Sequence, residues 1–240
     1  NFSDLAWFEF ALPPLEEQKQ FVKILSAISN KIFLLQEARD NAFRLWRSLS
    51  QEEFYKSSNH HSKKELLSNH YSIVSGQVDP TESKYADLPL LAPNYIESET
   101  GEVIELVSAR EQGAISGKYL VEKGNVIYSK IRPELMKATI APCNGLCSAD
   151  MYALKPKQTI RSEYLLEIVL SAEFTQFAIS GSKRTGIPKL NRKHLSQYFC
   201  NIPNLEEQKL YLNRVSLIHK SRKSILERIT QGKSLKNKLL

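Results

Sequence analysis

The chain has 240 residues, 42% hydrophobic and 25% charged, enough for one sizeable core or a medium domain with extended helices, and too apolar for a disordered tail. No apolar run approaches the ~18 residues of a membrane span, and residues 1–4 lack the basic region and apolar core of a signal peptide. The net charge of +7 is compatible with nucleic acid, and the odd, sparse set Cys143, Cys147 and Cys200 argues against a disulfide scaffold or four-ligand zinc site and for ordinary thiols in a cytoplasmic protein.

In chain order, the first informative block is Leu12-Pro13-Pro14-Leu15-Glu16-Glu17-Gln18-Lys19. It recurs 190 residues later as Ile202-Pro203-Asn204-Leu205-Glu206-Glu207-Gln208-Lys209. Phe21 then aligns with Tyr211, Leu25 with Val215 and Ile28 with Ile218. Proline suits a helix entry, and two glutamates in the next turn meet the positive end of the helix dipole, so each copy marks a helix start. Heptads follow both copies. Leu25, Ile32 and Trp46 share one seam position of the first helix, and Ile28, Leu35, Ala42 and Leu49 the other. Val215 and Ile229, then Ile218, Ile225 and Leu239, correspond in the second helix, with Arg39, Arg222 and Gly232 as seam imperfections. Such narrow seams want one partner helix each, so the two helices are expected to pair antiparallel.

Between them lie short apolar runs bounded by turn residues, read as strands: 71–74, 103–107, 125–129, 139–141 and 151–154. Residues 163–179 carry helical spacing (Leu165, Leu166, Val169, Leu170, Phe174, Phe177, Ala178), with Gly181 as the stop. The fold class expected is α+β: one mixed-sheet domain flanked by two long helices that form an antiparallel coiled coil.

Charge is unevenly spread. Residues 65–122 hold ten acids and three bases, residues 123–204 twelve bases and five acids, and residues 205–240 nine bases and three acids. A phosphate-tracking surface belongs to the later part.

Catalytic motifs are weak. Glu82-Ser83-Lys84 is a Glu-x-Lys of the kind found in metal-dependent nucleases, but Asp79 is too close in sequence for the usual strand-to-strand arrangement. Gly113-Ala114-Ile115-Ser116-Gly117-Lys118-Tyr119 is one residue short of a phosphate loop and has Tyr where a magnesium-binding Ser or Thr is needed. No methyltransferase motif and no glycine fingerprint for S-adenosylmethionine is seen.

Three segments carry a specific resemblance: Gly124-Asn125-Val126-Ile127-Tyr128-Ser129-Lys130-Ile131-Arg132-Pro133, Gly145-Leu146-Cys147-Ser148-Ala149-Asp150 and Gly186-Ile187-Pro188-Lys189-Leu190-Asn191. With the repeated Pro-Leu-x-Glu-Gln-type block, they resemble the specificity subunits of type I restriction-modification systems. Asn125 departs from the family's frequent Asp, and Asn204 from its double proline. The resemblance implies the tail of a first recognition domain over 1–14, a conserved coiled-coil helix over 15–58, a target-recognition domain over 59–204 and a second conserved helix over 205–240. Since the family's subunit runs domain, helix, domain, helix, the chain is expected to be a C-terminal portion or a half-length form.

The implied function is sequence-specific binding of double-stranded DNA, directing methyltransferase and restriction subunits to a bipartite target. The chain itself would be non-catalytic and bind no cofactor, while S-adenosylmethionine, ATP and Mg serve the partner subunits. A homodimer would restore two recognition domains. The competing readings are a metal-dependent nuclease using Glu82 and Lys84, and a coiled-coil adaptor with no role on DNA. Candidate DNA contacts are Ser129, Lys130, Arg132 and Lys137, and the loop carrying Lys183, Arg184, Thr185, Lys189, Asn191, Arg192 and Lys193. Lysine meets phosphate as a point charge and arginine can bridge guanine O6 and N7, while Gln77 and Asn191 have the amide that adenine needs. The coiled-coil contacts expected are Leu25, Ile28, Ile32, Leu35, Trp46, Leu49, Val215, Ile218, Ile225 and Ile229.

Overall fold

The structure, a computed structural model, describes residues 12–56, 64–182 and 187–239, without the side chains of Tyr55 and Lys56. Two long helices bracket the chain: α1 (Leu15–Gln51), which ends in a π-helical turn (Glu52–Lys56), and α6 (Leu205–Leu239). The chain divides into two compact units, residues 1–44 with 220–240 and residues 45–219, so the division cuts both helices instead of falling at their starts. Of the segment expected to be a first domain's tail, residues 1–11 lie outside the described residues.

Each helix start shows what the repeated block does. The Gln18 side-chain amide donates to the Pro13 carbonyl at 2.7 Å, and Gln208 donates to the Pro203 carbonyl at 2.8 Å. Both bonds tie the first turn to the chain that enters it. Where the second copy lacks the second proline, Asn204 caps directly, its side-chain oxygen accepting the Glu206 and Glu207 N–H groups at 3.0 Å each.

The first unit is a helix pair. A Cβ on Gly232 would stand 3.0 Å from Ile32, and the Arg222 guanidinium lies 5.0 Å from the Phe43 ring centre. These two contacts run in opposite chain directions, so the helices pair antiparallel. Leu25, Ile28, Ile32, Leu35 and Ile225 are half-buried and Ile229 is buried. The seam imperfections have separate outcomes. Gly232 lets Ile32 approach closely, Arg222 is buried under the Phe43 ring, and Arg39 turns outward to Asp40 at 2.8 Å.

Among the described residues the second unit holds ten strands. β1 (Lys64–Leu66) pairs with β10 (Phe199–Asn201) in a small ribbon. One four-stranded antiparallel sheet has the order β2-β9-β6-β7, from β2 (Tyr71–Ile73), β9 (Met151–Pro156), β6 (Val126–Ser129) and β7 (Ala138–Ile140). The other has the order β3-β5-β8-β4, from β3 (Gln77–Val78), β5 (Lys118–Val121), β8 (Gly145–Cys147) and β4 (Leu90–Leu91). The mixed character sits here, in the parallel β4–β8 pair. Leu91, Ile96, Val121, Ile127, Cys147 and Met151 fill the core to which both sheets contribute. β6 is buried along its whole length, which is why it reads as a continuous apolar run instead of an alternating one.

Two readings change. The single helix expected over 163–179 is two, α3 (Ser162–Val169) and α4 (Ala172–Ser180), after the short α2 (Ser83–Ala86). Ser171 makes the break, its hydroxyl accepting the Phe174 N–H at 3.2 Å as a new N-cap. The strand expected over 103–107 is an open segment. Besides the bridge Ile96↔Val103, Ile104 N–H bonds the Tyr95 carbonyl at 2.8 Å and Leu90 N–H of β4 bonds the Val107 carbonyl at 2.9 Å. These contacts go to two different neighbours and form no continuous ladder, and Ile104 and Leu106 face solvent. Gly181 does end α4, with a negative φ; its lack of a side chain makes room for the His194 ring.

The helix ends root in this unit through α3. Glu167, 5% exposed, accepts from Trp46 Nε1 at 2.6 Å, His219 Nε2 at 2.7 Å and the Tyr211 hydroxyl at 3.3 Å. Phe54, Tyr164 and Tyr211 pack ring on ring beside it, at 5.4 to 5.6 Å. Trp46 and Val215 are buried and Leu49 and Ile218 half-buried. Among the described residues no helix is long and apolar enough to cross a membrane.

Candidate nucleic-acid interface

The site grows from the end of β6. Beyond Ser129 the chain runs antiparallel to residues 188–190. Arg132 N–H donates to the Pro188 carbonyl at 3.0 Å, Ile131 bridges Lys189, and Leu190 N–H donates to the Lys130 carbonyl at 2.8 Å. Lys130 N–H in turn donates to the Asp150 carbonyl at 3.0 Å, in the turn between β8 and β9, and the Tyr152 hydroxyl donates to the Leu190 carbonyl at 3.0 Å. Three segments far apart in sequence, the ones that carry the family resemblance, therefore meet at one edge.

Their charges converge as well. The Lys130 ammonium lies 5.1 Å from the Tyr152 ring centre and the residue is 8% exposed. Burial holds its pKa below the ordinary lysine value, and the nearby Lys189 and Arg192 push the same way against Asp150. Lys118, at the start of β5, is also buried and its pKa lowered by burial, with Asp150 opposing. Lys189 approaches Asp150 at 3.6 Å. Crowding of like charge is costly for the free protein, and a polyanion relieves it.

Arg132 takes a left-handed conformation (φ 48°), as does Met136 (φ 49°), on either side of the turn Pro133–Leu135. For a residue with a Cβ this costs about 1–2 kcal/mol. The Pro188 and Arg132 backbone bonds hold it, and the guanidinium is left in solvent.

Not every candidate is available. Ser129 is buried with its hydroxyl donating to the Ile131 carbonyl at 2.9 Å, and Lys137 donates to the Pro93 carbonyl at 2.7 Å. Both brace the turn. Asn191 uses its side-chain oxygen to cap α5 (Arg192–Leu195), accepting the His194 N–H at 2.8 Å, so it cannot offer the bidentate amide expected for adenine while it caps. Arg192, Lys193 and Gln77 are exposed. Lys183, Arg184 and Thr185 lie outside the described residues. Lys118, Asp150 and Tyr152 join this edge without standing out in the sequence; Lys118 lies inside the phosphate-loop-like stretch, which hides it.

The description "Type I restriction modification DNA specificity domain" matches residues 83–231, more than half of the chain. The chain belongs to that specificity family. It is similar to the type I restriction enzyme EcoDI specificity subunit of Escherichia coli, 43% identical over 125 residues, which cover 52% of this chain and 28% of the relative. Among solved structures it resembles the HsdS subunit from Thermoanaerobacter tengcongensis (TM-score 0.59, 19% identity, 95% of this chain and 58% of that one). It also resembles the type I restriction-modification S subunit from M. genitalium (TM-score 0.61, 12% identity, 94% and 60%). A chain from a type I R-M system structure that addresses complex assembly gives 0.63 at 19% identity, over 95% and 59%. The chain thus spans only part of the length of the relatives it matches, and the distant structures support the fold alone.

Within this specificity family the nuclease alternative finds no support in the geometry. Lys84 pairs with Glu82 at 3.1 Å, and Asp79 accepts the Thr81 N–H and hydroxyl at 2.9 and 2.7 Å, so these groups serve a local turn. Lys118 donates to the carbonyl and hydroxyl of Ser116, occupied by its own loop instead of reaching for a phosphate. The Cys147 and Cys200 thiols are buried, and burial pushes each up to about 12, far from thiolate chemistry at neutral pH.

Proposed function

We propose that this chain is the sequence-reading component of a type I restriction-modification complex. It binds duplex DNA through the edge built by Lys130, Lys189 and Arg192 and directs methyltransferase and restriction subunits to a split target, in the cytoplasm. The observation that carries the reading is the convergence of the three family segments on one cationic edge. The chain contributes recognition and no chemistry; S-adenosylmethionine, ATP and Mg act on the partner subunits. One recognition domain reads one half of the target. Two copies of the chain, closed by a twofold axis, read both halves, and the exposed face of the first repeat copy (Leu15, Phe21, Val22) is where a second recognition domain fits.

The test is co-purification with a methyltransferase subunit, followed by mapping of methylated sites. Light scattering gives the copy number. Replacing Lys189 and Arg192 together with alanine is expected to weaken duplex binding and to flatten its salt dependence by about one unit of slope per lost phosphate contact. Unchanged affinity and slope remove this edge from the interface. The same substitutions at Lys183 and Arg184 test the adjoining loop.

A further inference from the structure

The stretch between Gly113 and Gly117 fails as a phosphate loop, yet its tip is unusual. Ile115 is 84% exposed, the highest value among the exposed large apolar side chains of the described residues. The tip is also held at both ends. On one side Gly113 adopts a positive φ of 61°, its N–H bonded to the Arg110 carbonyl, and Ala114 N–H bonds the Ala109 carbonyl. On the other, Lys118 is tied to Ser116, and Gly117 lies so close to Gln77 that a Cβ there would stand 2.7 Å from the Gln77 side-chain oxygen. Gln77 pairs with Tyr119 across β3–β5 and is itself exposed. An aliphatic side chain on an anchored loop is thus kept in water beside an exposed amide.

The position gives this meaning. Tyr119 pairs with Cys147 across β5–β8, which sets Lys118, three residues on from Ile115, beside the turn that carries Asp150. The Asp150 carbonyl accepts the Lys130 N–H at 3.0 Å and its carboxylate lies 3.6 Å from Lys189. The tip therefore stands at the rim of the cationic edge, where a polyanion would dock.

We propose that Ile115 and Gln77 form a base-reading corner for an A·T-containing step in the major groove, Ile115 packing on the thymine C5-methyl and Gln77 pairing with adenine N6 and N7. This rests on the DNA-binding reading above and adds which chemistry of the base is sensed. Thymine is the base that offers an apolar group to the major groove, and glutamine is a bidentate match for adenine. The lysines and Arg192 supply affinity that is blind to sequence; the corner supplies discrimination.

The experiment starts by selecting duplexes from a randomised pool with the purified full chain together with a methyltransferase subunit. In the selected duplex each thymine is then replaced by uracil, which removes only the methyl. At one thymine the wild-type chain is expected to lose roughly fourfold in affinity, the value of one buried methyl. Ile115→Ala loses about the same on the thymine duplex and no more on the uracil duplex. Its binding to mixed-sequence duplex, salt slope and thermal unfolding stay at wild-type values, since an exposed uncharged side chain is changed. Gln77→Leu relaxes the preference for adenine within the same step.

Selection of a sequence in which no thymine couples to Ile115 overturns the corner and leaves the DNA-binding reading standing. Loss of co-purification in Ile115→Ala with unchanged selection also overturns it and makes the tip a protein contact. No enrichment by the wild type overturns the DNA reading and the corner with it.

Discussion

The two copies of the repeated block share a sequence and differ in burial. In the second unit Gln208 is fully buried, Tyr211 is 2% exposed and Val215 1%. In the first, Gln18 and Leu25 are half-buried and Phe21 is 40% exposed. The glutamine-to-proline bond at the helix start is made in both. Among the described residues only Gln208 makes more: its amide donates to the Thr159 carbonyl at 3.0 Å and its oxygen accepts the Arg161 N–H at 2.9 Å. The block therefore has a local task, starting a helix, and a second one, offering a face to the recognition domain, and only the second copy performs the latter among the described residues.

The largest expected contrast comes from the ring two residues after the repeated block, Phe21 in the first copy and Tyr211 in the second. Tyr211→Ala removes a packed ring from Phe54 and Tyr164, the hydroxyl that Ser50 bonds and one of the three donors to Glu167, and is expected to cost about 3–5 kcal/mol. Phe21→Ala is expected to cost below about 1 kcal/mol. Urea unfolding followed by far-ultraviolet circular dichroism measures both, and equal losses would show that the first copy's face is also covered. Next comes the glutamine itself. Gln208→Ala leaves three backbone groups of the second unit without partners, with an expected loss of roughly 2–3 kcal/mol, whereas Gln18→Ala removes one exposed bond and costs less than about 1 kcal/mol. A small loss at Gln208 would mean that water replaces its bonds.

Much of this was legible in sequence because it is local. A proline, two acids and a glutamine specify a helix start without help, and heptad spacing selects the buried side of each helix. β6 announced itself by a continuous apolar run. What escaped reading depends on distant groups. Ser171 interrupts a well-spaced apolar pattern because its hydroxyl wins the Phe174 N–H, and no spacing rule reveals that. Val103 to Val107 has strand-like residues, but β4 bonds it only at Val107, too little for a ladder. At the site, Lys130, Lys189 and Lys137 stand out by charge alone; the fold brings the first two together, while Lys137, like the neighbouring Ser129, points to a backbone carbonyl. Asp150 and Tyr152 lie within or beside a quoted family segment, yet their place among the lysines comes from the pairing of residues 130–132 with 188–190.

A smaller difference between the copies lies in their caps. Asn204→Ala removes the acceptor for two N–H groups and is expected to cost about 1 kcal/mol. Asn204→Pro, which restores the double proline of the first copy, trades that acceptor for a fixed φ and is expected to fall between alanine and wild type. Thermal unfolding monitored by circular dichroism orders the three, and a proline variant below alanine would show that the second copy's entry cannot take the first copy's geometry.

The last contrast is one of charge. Glu207, the second glutamate of the later block, faces Glu53 within the second unit, and Glu53 is raised above its ordinary value near 4.5. Burial is the main cause, with repulsion from Glu207 and Glu52 adding to it, and the Tyr164 hydroxyl at 3.2 Å and Arg214 at 3.9 Å opposing. A folded-state pKa above the unfolded one means that the folded chain keeps a proton the unfolded chain has already released. The stability this gives is complete below the unfolded value and is lost as pH rises through the folded value. Glu53→Gln holds an acceptor for Tyr164 and has no proton to lose, so its urea midpoint is expected to fall less than that of the wild type between pH 4.5 and neutrality. Glu207→Gln is expected to flatten the same fall by a smaller amount, because repulsion ranks well behind burial. Glu17→Gln, at the matching position of the first copy, is expected to leave the profile unchanged, being exposed and in the other unit. A Glu17 variant that alters the profile as much as the Glu207 variant would break the distinction between the two copies.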